Sequence, residues 1–324
     1  MWLPNLEFDD YVITDDTLSS FLSYRDFIDK KLPLHRSPVI ESLLLRFRQS
    51  ILPQPEKFKQ WVEIAVSRSL RELSVVYYWF IAKPFDALSF PSSLYTCSSL
   101  TTLKLQGGNV LVDVPPTVCL PSLKTLQLRF VDEDSLRLIL SSCPVLEDLL
   151  IELKREYKTR VINVNIPSLQ RLSLWLVGDV RYFSESYVVA TPCLKYLKIV
   201  AEKESFISLT EPMVKLEEAD IDVVEDVEKI LQSVTSVRRL SLRALCNSPQ
   251  EFVYPVGIVF NQLQHLKLCI CRKDWSSLLI LFLENSPKLQ VLKLYVDTSM
   301  SNIRLLNYRF QRILKLQGLI PNRR

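Results

Sequence analysis

Residues 100–105 read LTTLKL, residues 123–128 read LKTLQL and residues 146–151 read LEDLLI. All three are copies of L-x-x-L-x-L, and their starts, Leu100, Leu123 and Leu146, lie 23 residues apart. Toward the C-terminus the pattern continues as LQRLSL from Leu169, LKYLKI from Leu194, a weakened LEEADI from Leu216, VRRLSL from Val237, LQHLKL from Leu263 and LQVLKL from Leu289. Toward the N-terminus it appears as LRELSV from Leu70 and IESLLL from Ile40. From Leu100 onward the steps are 23, 23, 23, 25, 22, 21, 26 and 26 residues; the two upstream steps are 30 each. A repeat of about 20 to 29 residues with this pattern marks a leucine-rich-repeat protein. The longer upstream steps read as insertions or atypical end units.

The cassette has a simple physical meaning. Its fourth and sixth residues are two apart, so both point to one face of a β-strand while the residues between them face the other way. No single repeat can bury its leucines alone, but a stack of repeats makes a continuous core beneath a parallel sheet. The expected fold is therefore an α/β leucine-rich-repeat solenoid, a horseshoe with a concave parallel sheet and a convex side of mixed helical and irregular segments. Parallel strands need crossovers, and some of these read as helices. In VDEDSLRLILSSCP (131–144), Asp132 or Asp134 is placed to cap a helix, Leu136, Ile139 and Leu140 share one face, and Pro144 ends it. VEDVEKILQSV (224–234) and KDWSSLLILFLENSP (273–287) read the same way. GGNVLVDVPPTVCLP (107–121) is too rich in proline and β-branched residues for a helix.

Three regions follow. Residues 1–39 form an N-terminal capping region, with Leu18, Phe21, Leu22 and Phe27 available to cover the end of the core. Residues 40–294 form the repeat domain. Residues 295–324 form a divergent C-terminal tail or cap, in which RILKLQGL from Arg312 mimics a strand and Arg323 and Arg324 read as solvated.

Composition narrows the function classes. Hydrophobic residues make up 48% of the 324 and the formal charge is +4 with no long run of like charge, which argues against a nucleic-acid binder. The first ten residues lack the features of a signal peptide, and the densest apolar run, 278–283, is far too short to span a bilayer, so no membrane partner is expected. Seven scattered cysteines fit reduced thiols and a cytoplasmic or nuclear setting. Cys97, Cys119, Cys143 and Cys193 each stand one to four residues before a cassette and read as small apolar packing residues. His35 and His265 are the only histidines, and Cys269 and Cys271 lack zinc-site spacing, so neither a catalytic residue nor a metal or other cofactor is expected. Gly107 and Gly108 read as a turn rather than a phosphate cradle.

What the repeat does predict is a surface. Positions three, five and seven of each cassette face outward on the concave side. Early strands offer Glu72, Ser74, Thr102, Lys104, Gln106, Thr125, Gln127 and Arg129, and the middle ones Asp148, Leu150, Glu152, Arg171, Ser173, Trp175, Tyr196 and Lys198. Later strands offer Glu218, Asp220, Asp222, Arg239, Ser241, Arg243, His265, Lys267, Lys293 and Tyr295. Leu150, Trp175 and Tyr196 have the character of binding anchors, although Trp175 is also suited to covering an edge or packing under a loop. The acidic strand at 218–222 lies beside a basic one at 239–243, and these charges are read as pairing with each other or as forming a mixed-charge docking surface. Arg239, Arg243, Lys267 and Lys293 are the nearest thing to a phosphate-binding cluster.

The phrases CLPSLKTLQLRFV (119–131), DEDSLRLILSSCPVLEDLLI (132–151) and ENSPKLQVLKL (284–294) resemble plant F-box proteins of the F-box/leucine-rich-repeat/FBD class, over residues 2–294. In that class an F-box docks on the Skp-type adaptor of a cullin ubiquitin ligase and the repeats hold the substrate. LPNLEFDD (3–10) is similar to the segment that follows an F-box, so the F-box itself is not expected here, and no adaptor-binding residues carry over. Nor is an FBD segment recognisable after Leu294. The resemblance implies a non-catalytic protein-interaction module, the substrate-recognition part of an F-box protein in ubiquitination, with an unidentified protein as partner. The alternatives are a sensor of a small ligand such as a hormone or inositol phosphate, and a shortened product without ligase activity.

Overall fold

The computed structural model describes residues 3–10, 18–47, 53–77, 90–107, 114–131, 133–153, 160–176, 185–201, 206–209, 213–223, 227–244, 257–269 and 275–295. Cassettes are entered through a recurring turn. The N–H of Leu123 donates to the carbonyl of Leu120 at 3.2 Å, Leu146 to Cys143 at 3.3 Å, Leu169 to Ile166 at 3.1 Å, Leu194 to Thr191 at 3.2 Å and Leu289 to Ser286 at 3.1 Å. In these five turns the second residue is proline (Pro121, Pro144, Pro167, Pro192 and Pro287), whose ring presets φ near about −65°, the value that position requires.

Two further ladders tie repeat to repeat. The carbonyl at the second cassette position accepts from two N–H groups of the next repeat: Thr101 from Lys124 at 2.9 Å and Thr125 at 3.0 Å, Glu217 from Arg238 at 2.8 Å and Arg239 at 3.0 Å. The residue just before the cassette is often serine, and its hydroxyl donates to the first leucine carbonyl of the preceding repeat. Ser99 reaches Leu70 at 2.8 Å, Ser168 reaches Leu146 at 2.7 Å and Ser236 reaches Leu216 at 3.3 Å.

The chain divides into two compact units, Met1–Lys158 with Ile166–Trp175, and Thr159–Asn165 with Leu176–Arg324. In the first unit the strands are β1 (Asn5–Asp9), β2 (Ser42–Phe47), β3 (Glu72–Tyr77), β4 (Thr102–Gln106), β5 (Thr125–Val131) and β6 (Asp148–Leu153). After β7 (Arg160–Val164), which belongs to the second unit, β8 (Arg171–Leu176) joins them. These seven strands pair in parallel in the order given. The sheet thus begins at Asn5, ahead of the first cassette at Ile40. Inward pairs such as Leu103 and Leu105, or Leu126 and Leu128, are almost wholly buried.

Among the described residues of the first unit there are three α-helices. In α1 (Leu18–Lys31) the capping expectation needs correction: Leu22 and Phe27 are both 50% exposed, while Ile28, with Leu32 just beyond the helix, is buried. The side chains of Leu18 and Phe21 lie outside the described set. Helix α2 (Pro55–Val66) starts on a proline at N1 and buries Phe58, Trp61, Val62 and Ala65. The Trp61 indole N–H donates to Asp29 Oδ1 of α1 at 2.7 Å. Helix α3 (Glu133–Ser141) fulfils one expected crossover, but Leu140 is only half-buried and Ser135 joins Leu136 and Ile139 on the buried face. Asp134 sits in its first turn rather than capping it, and Asp132 lies outside the described residues. Residues 114–124 carry turns without a helix, as expected from their prolines.

In the second unit, β10 (Tyr196–Ala201), β12 (Glu218–Val223), β13 (Arg239–Ala244), β14 (His265–Cys269) and β15 (Val291–Tyr295) pair in parallel in that order. Helices α4 (Val227–Ser233) and α5 (Trp275–Asn285) serve as crossovers where helices were expected, within slightly narrower bounds. A second parallel sheet was not expected: β7, β9 (Glu185–Val189) and β11 (Phe206–Leu209) lie side by side in the order β11-β9-β7. Here the segments between cassettes are themselves extended, and Ile162, Val164, Tyr187, Val189 and Ile207 are buried. Alternating β-branched residues in RVINV and ESYVV carry that signal.

Candidate interaction surface

In-register pairing sorts the outward side chains into rows. In the first unit, position three gives Glu72, Thr102, Thr125, Asp148 and Arg171. Position five gives Ser74, Lys104, Gln127, Leu150 and Ser173, and position seven gives Val76, Gln106, Arg129, Glu152 and Trp175. β1 and β2 add Asn5 beside Ser42, Glu7 beside Leu44 and Asp9 beside Arg46, an extension that NLEFD and SLLLRF encode by their alternation.

Leu150 and Trp175 fall on adjacent strands but in different rows: Leu150 is opposite Ser173, and Trp175 is opposite Glu152. Both are half-buried. The guanidinium of Arg129 lies 5.1 Å from the Trp175 ring centroid and 3.6 Å from the Glu152 carboxylate. That arrangement leaves Glu152 only 8% exposed and holds the indole under a cation, an attraction worth about 0.5–1 kcal/mol. Arg129 and Glu152 belong to this group on equal terms with Trp175, and the cue in the sequence was their shared seventh position. Arg171 pairs with Asp148 at 3.1 Å. Burial nonetheless raises the Asp148 carboxyl above its ordinary value, with Arg171 pulling the other way.

The other anchor, Tyr196, is half-buried in the second unit, on β10 beside Glu218. Around it the charges neutralise one another across strands. Lys198 meets Asp220 at 3.2 Å, Arg239 grips Glu218 through Nε at 2.9 Å and Nη2 at 2.8 Å, and Arg243 pairs with Asp222. The acidic and basic strands therefore pair with each other. Arg239 and Arg243 stand on β13 beside Lys267 of β14, which faces Ser241 on one side and Lys293 on the other. Of the four basic side chains, Arg239 and Arg243 are engaged by carboxylates, and Lys267 lies 4.6 Å from the centroid of Tyr295.

Other residues weighed for chemistry have structural settings. The carbonyl of His35 accepts from Arg68, whose Nη1 also lies 3.3 Å from the imidazole Nδ1. Burial first, and then Arg68, lower the His35 pKa and favour the neutral ring. His265 is exposed on β14 between Arg239 and Val291. Cys97 and Cys143 are buried as expected, whereas Cys193 is half-buried and Cys119 is exposed, because its position four residues before the cassette falls ahead of the turn. Cys271 and Gly108 lie outside the described residues. Among the described residues no group of three or more His, Cys, Asp or Glu side chains is arranged to hold a metal ion. No described helix is long and apolar enough to cross a membrane.

Residues 58–221 match the family described as "FBD-associated F-box protein At5g56370, LRR repeats". The chain is 54% identical, over 94% of its own length and 74% of the relative's, to putative FBD-associated F-box protein At5g56700 of Arabidopsis thaliana. It is 49% identical to FBD-associated F-box protein At5g60610 of the same plant, over 92% of this chain and 74% of that protein. It is also 49% identical to putative F-box/FBD/LRR-repeat protein At5g62970, also of Arabidopsis thaliana, over 83% of this chain and 60% of that protein. With its cassettes, turns and leucine core of the leucine-rich-repeat type, the chain belongs to the FBD-associated F-box/leucine-rich-repeat family.

Proposed function

We propose that this chain is a protein-binding module that selects substrates for an F-box-type ubiquitin ligase, acting in the cytoplasm or nucleus. Family membership supports the interaction role. The observation that carries the reading is the division of each cassette: inward leucines build the core, and positions three, five and seven are left to present a varied face. On that face Leu150 and the Arg129–Glu152–Trp175 group combine apolar and cationic surface, the combination that dominates protein–protein binding energy. The small-ligand alternative has less support, because Glu218 and Asp222 already occupy Arg239 and Arg243. Five free thiols among the described residues fit the proposed compartments.

A pull-down of the tagged chain from plant extract, probed for the Skp-type adaptor and cullin, tests the ligase role. Recovery of both supports it; recovery of other proteins alone leaves a free-standing binding module. The same experiment with W175A and Y196A tests the surface. Each substitution is tested by itself in its own unit, and at a hot-spot residue capture of the principal partner is expected to fall by at least about tenfold. Unchanged capture by a folded variant rules that anchor out.

A further inference from the structure

The outward face of the second unit carries its charges unevenly. On β12 all three carboxylates are taken up by cations of the neighbouring strands: Glu218 by Arg239, Asp220 by Lys198 and Asp222 by Arg243. On β14 and β15 that neutrality is lost. Lys267 and Lys293 stand side by side in the register, both exposed, and among the described residues neither makes an ion pair. Like charges opposite each other on neighbouring strands oppose the pairing. The free surface therefore holds a repulsion that an anion lying between the two lysines relieves.

The neighbours of the two lysines decide what kind of anion fits. In the row at position three, exposed His265 stands beside Val291, itself 46% exposed. In the row at position seven, half-buried Tyr295 lies under Lys267. A cationic centre with apolar surface on both sides matches a peptide that carries carboxylates among apolar side chains. Two lysines are too few for a nucleic-acid track, whose affinity grows with the number of phosphates neutralised. A phosphate clamp is disfavoured as well, because Arg239 and Arg243, the nearest forked donors, are already held by carboxylates.

We propose that the outward face of β14 and β15 docks an acidic peptide segment of a partner protein, its carboxylates bridging Lys267 and Lys293. The inference rests on the protein-binding reading given above and adds to it the chemistry of the partner.

Fluorescence anisotropy of fluorescein-labelled hexaglutamate titrated with the full chain at low ionic strength tests the site. Saturable binding is expected, and it weakens as salt screens the charges. Affinity is expected to fall at least about tenfold in K267Q/K293Q. It also falls in K293Q alone, which leaves the contact of Lys267 with Tyr295 in place. K288Q removes a lysine outside the three outward rows and is expected to leave the affinity unchanged. Absence of saturable binding to the wild-type chain overturns the proposal, as does equal affinity in K267Q/K293Q. Tighter binding of labelled single-stranded DNA through the same two lysines overturns the choice of a peptide. If hexaglutamate fails to bind while the pull-down still recovers a partner, this docking site is excluded and the protein-binding role stands.

Discussion

At Gly107 an added Cβ would lie 2.5 Å from the Tyr77 ring, a distance that no ordinary side-chain contact tolerates. Gly107 was read with Gly108 as a turn; it stands at a bend after β4, Gly108 lies outside the described residues, and the sequence carried no sign of the aromatic ring from the preceding repeat. Gly107→Ala is expected to lower stability by about 1–3 kcal/mol, the cost of overpacking, measured by urea unfolding. Cys143 makes the corresponding point about reactivity. Burial pushes its thiol up to about 12, with Cys119 a minor contributor, and the thiolate is the reactive form. Iodoacetamide at mildly alkaline pH is expected to modify exposed Cys119 while Cys143 stays unmodified until the chain unfolds, as peptide mass spectrometry will show. Because the folded Cys143 keeps its proton where an unfolded cysteine loses it, its contribution to stability is full below the unfolded pKa of about 8.5 to 9. That contribution falls as pH rises from there toward 12, so the unfolding midpoint measured across that window declines.

The elements show which signals were local enough to read. Strand positions were legible because two leucines spaced by two residues leave little freedom about which face is inward. Proline just ahead of a cassette was equally informative, since it fixes the turn that starts the strand. Helix α1 was harder, because Leu22 and Phe27 are as apolar as Ile28 and only packing decides which side turns inward. The sheet formed by β7, β9 and β11 was missed because each strand is four or five residues long and gains its partners only from other repeats. Of the candidate surface, which residues face outward was legible; which of them touch was not, since Arg129 reaches across Glu152 to Trp175 from two strands away. The serine ladder offers a test at this scale. Ser168→Ala removes a 2.7 Å hydrogen bond to the Leu146 carbonyl and is expected to cost about 0.5–1.5 kcal/mol, read from the unfolding midpoint.

In a chain built of repeats, each repeat packs on its neighbours, so damage should spread by proximity rather than uniformly. Leu103→Ala, at a fully buried site in β4, is expected to cost about 2–5 kcal/mol. Hydrogen exchange should show the greatest loss of protection in β3, β4 and β5 and progressively less toward β1. Equal loss along the whole unit would instead mean all-or-none unfolding. Of the cross-strand ion pairs of β12 and β13, the exposed Glu218–Arg239 pair contributes little to stability, about 0–1 kcal/mol, while Asp222–Arg243 is half-buried. Their larger consequence concerns alignment. A repetitive core has nearly equivalent wrong answers: sliding β13 by two residues past β12 still turns every leucine inward. Only the native register satisfies both Glu218–Arg239 and Asp222–Arg243; either two-residue slip breaks both and sets only Asp220 opposite an arginine. The charges thus distinguish alignments that hydrophobicity treats alike, and they act as a proofreading code for a sheet whose core pattern is degenerate.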